Sequence, residues 1–186
     1  MALICKKGKD VRISRKASIY NPGRISLGSH VRIDDFCVLS AGEGGIEIGD
    51  YIHIAVFTSL IGKGLICVKD FCNFSSRVSV YSSNDDYSGE FMTNPMVPSQ
   101  YTGVTHADVI INKHVIIGSG SIILPGVTLE EGVTVGALSL VNKTCQAFGV
   151  YVGVPARRVS ERKKRLLELE IQLREQYSNG LVTNGG

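Results

Sequence analysis

Between Val109 and Asn142 an aliphatic residue returns at every sixth position: Ile111, Ile117, Ile123, Leu129, Val135 and Val141. A β-branched or small residue stands two places before each, at Val109, Val115, Ser121, Val127, Val133 and Ser139, and Gly, Pro, Asn or acidic residues cluster in between. This period fits neither a helix, with about 3.6 residues per turn, nor the simple alternation of a hairpin strand. It describes a very short strand, a turn, and a next strand whose inward side chain falls in the same place. Three such units close one coil of a parallel β-helix, about 18 residues long, with neighbouring coils about 4.8 Å apart.

The same phase is readable upstream. Leu27, Ile33 and Leu39, then Ile48, Ile54 and Leu60, then Val68, Phe74 and Val80 form trios, and Ile13 with Ile19 begins a partial first coil. The longer jumps between trios fall at the glycine-rich stretches 41–45 and 62–64, where an insertion at a corner leaves the stacked faces intact. The register predicts that Ile33, Ile54, Phe74, Ile117 and Val135 stack on one face. Leu39, Leu60, Val80, Ile123 and Val141 should stack on the next.

Residues 1–22 are expected to form a cap or an incomplete coil that shields the apolar end of the prism. The phase then breaks between Val80 and Val109, over 28 residues rich in polar and turn-forming types. A loop of this length inside a compact domain is usually functional or disordered. Because the six-fold pattern resumes in register, 81–108 reads as an excursion from one domain spanning 1–159. Its aromatic residues Tyr81, Tyr87, Phe91 and Tyr101 offer surface for packing, with a neighbouring subunit as one partner. Residues 142–159 read as an irregular or short-stranded exit. A helix is expected over 160–180, with Ser160 as N-cap, Leu166, Leu169 and Leu173 in its stripe beside Leu167 and Ile171, and Gly180 as its stop.

Composition narrows the function classes. The 186 residues, 44% hydrophobic and 20% charged, suit one globular domain. A net charge of +3, with much of the basic excess near the C-terminus, is no nucleic-acid footprint. Nothing approaches the roughly 18 apolar residues of a membrane span, and the first residues lack a secretory signal, so a cytoplasmic protein is expected. The five cysteines are scattered without a C-x-x-C pair and read as small buried hydrophobes.

The run IIGSGSIILPGVTLEEGVTVGALSLVNK, followed by GVPARR, resembles the hexapeptide-repeat acyltransferases over nearly the whole chain. That resemblance implies an all-β fold, a left-handed parallel β-helix of hexapeptide repeats with a long loop excursion and a C-terminal α-helix. It also implies a homotrimer with active sites between adjacent prisms, acetyl-CoA as acyl donor, and no metal. On the donor side, positions matching the family's pantetheine groove are Ser119, Ala137, Asn142 and Lys143, while Arg157 matches the cation that meets the nucleotide phosphates, with Arg158 beside it. Spacing agrees, since Ser119 and Ala137 are 18 residues apart and should stack at one corner. Two small residues there leave a slot for a thin extended chain.

The acceptor side departs from the family's galactoside and maltose type. Those members carry a catalytic His at the start of the loop; here Asp85 stands in its place, and the accompanying Asn is replaced near Ala55. A hydroxyl acceptor needs a base such as imidazole, whereas an amine needs orientation and somewhere for a proton to go. Asp for His therefore tilts towards N-acylation. Asp85 and His53 are the candidate catalytic residues, His53 being outward-facing just before inward Ile54. Tyr81, Asn84, Asp86, Tyr87, His106 and His114 are candidate acceptor contacts. Backbone N–H groups near Ser76 or Gly118 are candidates for oxyanion stabilisation. The loop signature NDDYSGE with TNP is similar to bacterial N-acetyltransferases of nucleotide-linked 4-amino-4,6-dideoxy sugars, which serve surface-polysaccharide assembly. The alternatives are a sugar O-acetyltransferase using His53 or His106 as base, a carbonic-anhydrase-like metal site, which needs three converging imidazoles, and a non-catalytic β-helix.

Overall fold

All fifteen inward positions from Leu27 to Val141 are buried in the computed structural model, which describes residues 4–178. The chain winds as a parallel β-helix with three faces of six, eight and six strands. The first face stacks Lys6–Lys7, Ile25–Leu27, Ile46–Ile48, Ile66–Val68, Val109–Ile111 and Thr128–Leu129. Registers on the other two faces follow the predicted columns. Ile33 pairs with Ile54, Ile54 with Phe74, Phe74 with Ile117, and Ile117 with Val135. Leu39, Leu60, Val80, Ile123 and Val141 form the other column. Each strand is only two to four residues long until the last coil, so each coil depends on its neighbours for both hydrogen bonds and burial.

Three expectations concern the ends of the coil. Residues 6–20 supply one strand to each face, and so form a coil of their own, though Ile13 and Ile19 are only half-buried. The exit takes the stranded form: Gly149–Gly153 continues the second face beside Thr134–Val135 and turns back as Ala156–Glu161. Ser160 lies in that returning strand, opposite Val150, and is no N-cap; the helix runs over Arg165–Ser178. Gly180 and the tail lie outside the described residues. The excursion is anchored at its base by an antiparallel pair, Ser83–Asn84 with Thr105–His106. Buried Ser82 donates to the Gly64 carbonyl at 2.7 Å, and Asp108 accepts from the Leu65 N–H at 2.8 Å. Beyond that base the loop is open, with Tyr87 85% exposed.

Two corners of the prism carry side chains in the left-handed region, and these stack. At the first, His30, Tyr51, Phe71 and His114 all have φ near +60°. Their rings lie 4.6, 4.8 and 5.1 Å apart, nearly parallel. Such φ values cost non-glycine residues on the order of 1 kcal/mol each, and aromatic stacking returns a similar amount. Gly132 occupies the next rung, and the Phe148 ring fills the space its side chain leaves, 2.4 Å from where a Cβ would sit.

The C-terminal helix docks along this aromatic corner. Glu170 meets His114, Arg174 lies over Phe71 at 5.3 Å, and Tyr177 contacts His30 and Tyr51. Seven helical residues rise about 10.5 Å. Two to three coil steps span about 10–14 Å, so the two repeats stay in step. Leu166, Leu167 and Leu173 are half-buried, while Leu169 and Ile171 face solvent, so the docking face is largely polar and aromatic.

Candidate active site

The second corner follows the second face. Gly118-Ser119-Gly120 and Gly136-Ala137-Leu138 lie one above the other there, the Leu138 N–H donating to the Ser119 carbonyl at 2.9 Å. Ser119 and Ala137 are exposed on adjacent levels, as their spacing predicted. Gly118 is required, because a Cβ there would sit 2.4 Å from the Ala137 nitrogen. Inside the corner, buried Ser121 and Ser139 each donate to the Gly136 carbonyl at 2.8 Å. Ser139 Oγ also accepts the Gly153 N–H at 3.1 Å, tying the exit hairpin to the corner. The wall is thus small and stiff.

Asn142, Lys143, Arg157 and Arg158 meet in one pocket of about 350 Å³, whose floor includes Val141 and Tyr151. The hairpin register does this, setting Arg157 opposite Val152 and Arg158 opposite Tyr151. Arg157 donates to the Ala156 carbonyl at 3.0 Å and Arg158 pairs with Glu161 at 2.5 Å; among the described residues Lys143 has no acidic partner. The pocket is cationic and suits phosphate groups.

On the acceptor side, the outward residues of the second face stack as Arg32, His53 and Asn73. His53 Nε2 lies 2.8 Å from Asp34 Oδ2, and Nδ1 lies 3.1 Å from Asn73 Oδ1. Asp34 also accepts from Arg32 Nε at 2.7 Å. Burial works against its charge, but the His53 and Arg32 bonds outweigh this and hold its carboxyl below the ordinary aspartate value. His53 is therefore the middle of a chain, with both ring nitrogens engaged. Asp34 and Asn73 escaped the sequence reading, yet their signal was there, one coil below and one above His53.

The loop sorts the remaining candidates. Asp85 is exposed, near the base of the excursion and next to Asn84, which pairs with Thr105. Asp86 is committed to the loop itself: its carboxylate accepts from the Ser88 hydroxyl at 2.8 Å and the Gly89 N–H at 3.0 Å. Those bonds, the Ser88 hydroxyl first, lower its pKa. Its oxygens thus organise the turn. His106 is exposed, with Nδ1 2.8 Å from Ser83 Oγ. Tyr81 is half-buried on the third face, paired with Ile61, and Tyr87 projects from the loop. His114 lies at the other corner. It is buried beneath the helix, stacked on Phe71, with Nε2 2.6 Å from Glu170. The oxyanion donors expected near Gly118 are spent inside the coil, the Gly118 N–H on Val135 and the Gly120 N–H on Ser76.

No protein-family model matches the chain. Over 163 residues, 88% of its length, it is 61% identical to a dTDP-4-amino-4,6-dideoxy-D-glucose acyltransferase of Escherichia coli, covering 85% of that protein. The chain belongs to the hexapeptide-repeat acyltransferases. Its β-helix is the left-handed coil of that family. AntD, an N-acyltransferase from Bacillus cereus solved with dTDP and 3-hydroxybutyryl-CoA, superposes with a TM-score of 0.91 at 48% identity, over 94% of this chain and 92% of AntD. A serine variant of AntD in complex with dTDP-4-amino-4,6-dideoxyglucose and coenzyme A gives a TM-score of 0.90 at 48% identity, over 93% and 92% of the two chains. Among the described residues of this hexapeptide-repeat acyltransferase, no three His, Cys, Asp or Glu side chains are grouped to hold a metal, and no helix is long and apolar enough to cross a membrane.

Proposed function

We propose that this protein is an acetyl-CoA-dependent N-acyltransferase acting on a nucleotide-linked amino-deoxy sugar of the 4-amino-4,6-dideoxyhexose type. The observation that carries this reading is the 61% identity, over 88% of the chain, to a dTDP-4-amino-4,6-dideoxy-D-glucose acyltransferase. The pocket of Asn142, Lys143, Arg157 and Arg158 supports it, lying beyond the Ser119 and Ala137 levels where the phosphates of a bound CoA would emerge.

The acceptor arrives as an ammonium. Asp85 takes one proton, the amine attacks the thioester carbonyl, and the C–N bond forms as the C–S bond breaks. The second nitrogen proton leaves with the CoA sulfur. AntD has been solved with an aspartate replaced and with a serine ten positions before it replaced. At the start of the loop that separation is met by Ser75 with Asp85 and by Ser76 with Asp86. Because the Asp86 carboxylate is consumed by its own turn, the first pair is the one available for chemistry. Ser75 would hydrogen-bond the acyl carbonyl, and His53, held by Asp34 and Asn73, would position the acceptor from the adjoining face. Donor and acceptor meet between prisms of a homotrimer. The reaction belongs to the cytoplasm, where acyl-CoA and nucleotide sugars are found, and its product class serves surface-polysaccharide assembly.

The test is CoA release with acetyl-CoA and either dTDP-4-amino-4,6-dideoxyglucose or its 4-hydroxyl counterpart. Turnover of the amine alone is expected; equal or faster turnover of the alcohol would replace this reading with O-acyl transfer.

A further inference from the structure

The corner that carries Ser119 and Ala137 continues downward as Arg77, Phe57, Phe36 and Lys16. Phe36, Phe57 and Arg77 each have φ near +60°, and the ladder bonds Phe57 N–H to Asp35 and Arg77 N–H to Val56 place them on successive levels. Phe36 and Phe57 stack at 5.0 Å and stay 47% and 48% exposed. Lys16 closes the lower end, 5.3 Å from the Phe36 ring, and is already paired with Asp35 at 2.9 Å. Arg77 closes the upper end, its guanidinium 5.4 Å from the Phe57 ring. No carboxylate pairs with Arg77 among the described residues. Above it Gly120 contributes no side chain, and Leu138, 74% exposed, leans over that level from the next. The result is an exposed cation with a phenyl ring below it and the Leu138 side chain over the glycine above.

The structure assigns Arg77, stacked on Phe57, as the ligand of the acceptor's diphosphate. This rests on the nucleotide-sugar reading above. A guanidinium held over a phenyl ring has less freedom to lose on binding and still presents N–H groups to phosphate oxygens. It follows Ser75 and Ser76 directly in sequence. Ser75, Ser76 and Arg77 share one turn of the coil, so Arg77 borders the level at which those serines would hold the sugar. The donor's phosphates have their own cations in Lys143, Arg157 and Arg158. The two nucleotides thus have separate anion seats.

Calorimetric titration of the intact protein with dTDP, and separately with CoA, tests this. Arg77→Gln should weaken dTDP binding about 10–100-fold, the range of a lost charge-assisted contact, and leave CoA affinity within about twofold. Arg77→Lys should recover only part, because an ammonium cannot stack flat, and Phe57→Leu should weaken dTDP binding at least about threefold with the charge retained. Arg77→Gln binding dTDP within about twofold of wild type would overturn the assignment, as would an unaltered Phe57→Leu. Wild-type protein that binds CoA but not dTDP would instead bring down the nucleotide-sugar reading, and this proposal with it. Arg77 is exposed, so melting temperatures close to wild type are expected and show that the variants fold.

Discussion

Replacing Glu170 with Gln should release the C-terminal helix from the coil while leaving the β-helix intact. Glu170 is only 12% exposed. Its Oε2 lies 2.6 Å from His114 Nε2, and its Oε1 lies 2.7 Å from Arg174 Nε and 3.4 Å from Lys113 Nζ. Burial raises its pKa, but bonds from Arg174 and His114 and the charge of Lys113 outweigh it, holding the carboxyl at about 2 against an ordinary 4.5. Such a displacement corresponds to about 3 kcal/mol favouring the charged, docked form. Lys113 and Arg174 are 41% and 51% exposed, so solvent screens their share, and about 1–2 kcal/mol is the expected cost of the substitution. Amide hydrogen exchange over residues 165–178 reads this directly, because local undocking is lower in free energy than global unfolding. Protection in the helix should fall about 5–30-fold at neutral pH and stay unchanged in the buried strands. The carboxyl is depressed in the folded state, so its contribution is complete above about pH 4.5 and is lost as pH falls towards about 2. Wild type and variant should therefore converge in acid. Equal protection at neutral pH, or a gap that does not shrink as acid is added, would refute the ion-pair account of docking.

Other substitutions separate the parts of the site. Asp85→Asn should lower kcat by about 100-fold or more with little change in the KM for acetyl-CoA, whereas Asp86→Asn, which frees the turn at Ser88 and Gly89, should mainly raise the acceptor KM; steady-state kinetics with both substrates varied distinguishes them. Lys143→Ala combined with Arg157→Ala should raise the KM for acetyl-CoA about tenfold, leave kcat within a few-fold, and flatten the salt dependence of kcat/KM. Phe74→Ala, at a fully buried position between Ile54 and Ile117, should cost about 3–5 kcal/mol in chemical denaturation, more than any single aliphatic truncation in the same column.

The core of this fold was legible because its rule is one-dimensional. A β-helix repeats its inward side chain at fixed intervals, so Ile33 over Ile54 over Phe74 follows from counting, and only the insertions at 41–45 and 62–64 needed locating. What lay outside the count had another physical origin. His114 reads as an outward corner residue, which it is. Its burial comes from Glu170, 56 positions away, and no local pattern announces that a helix will return along that corner. Asp86 likewise reads as an acidic loop residue, and only the folded turn shows its oxygens spent on Ser88 and Gly89. At the exit, Gly149, Gly153 and Pro155 interrupt the apolar pattern, so the sequence leaves irregular and stranded forms open; the hairpin those residues permit is what carries Arg157 to Lys143.

The outward columns were recoverable in principle, and they bear most directly on the reaction. Once the coil register is known, each exposed residue has a neighbour about one coil away in sequence: Arg32, His53 and Asn73 on the second face, and Phe36, Phe57 and Arg77 at the corner beside it. These columns are free of packing demands, so their composition is a better indicator of binding than the inward ones, which any β-helix must fill with aliphatics. Along this corner the character changes level by level, from Lys16 through two phenyl rings to Arg77, then to Gly120, Ser119 and Ala137. A merely structural corner would have no reason to place an exposed cation just below a glycine. A corner that seats an anionic acceptor next to a thin thioester arm needs both, one level apart.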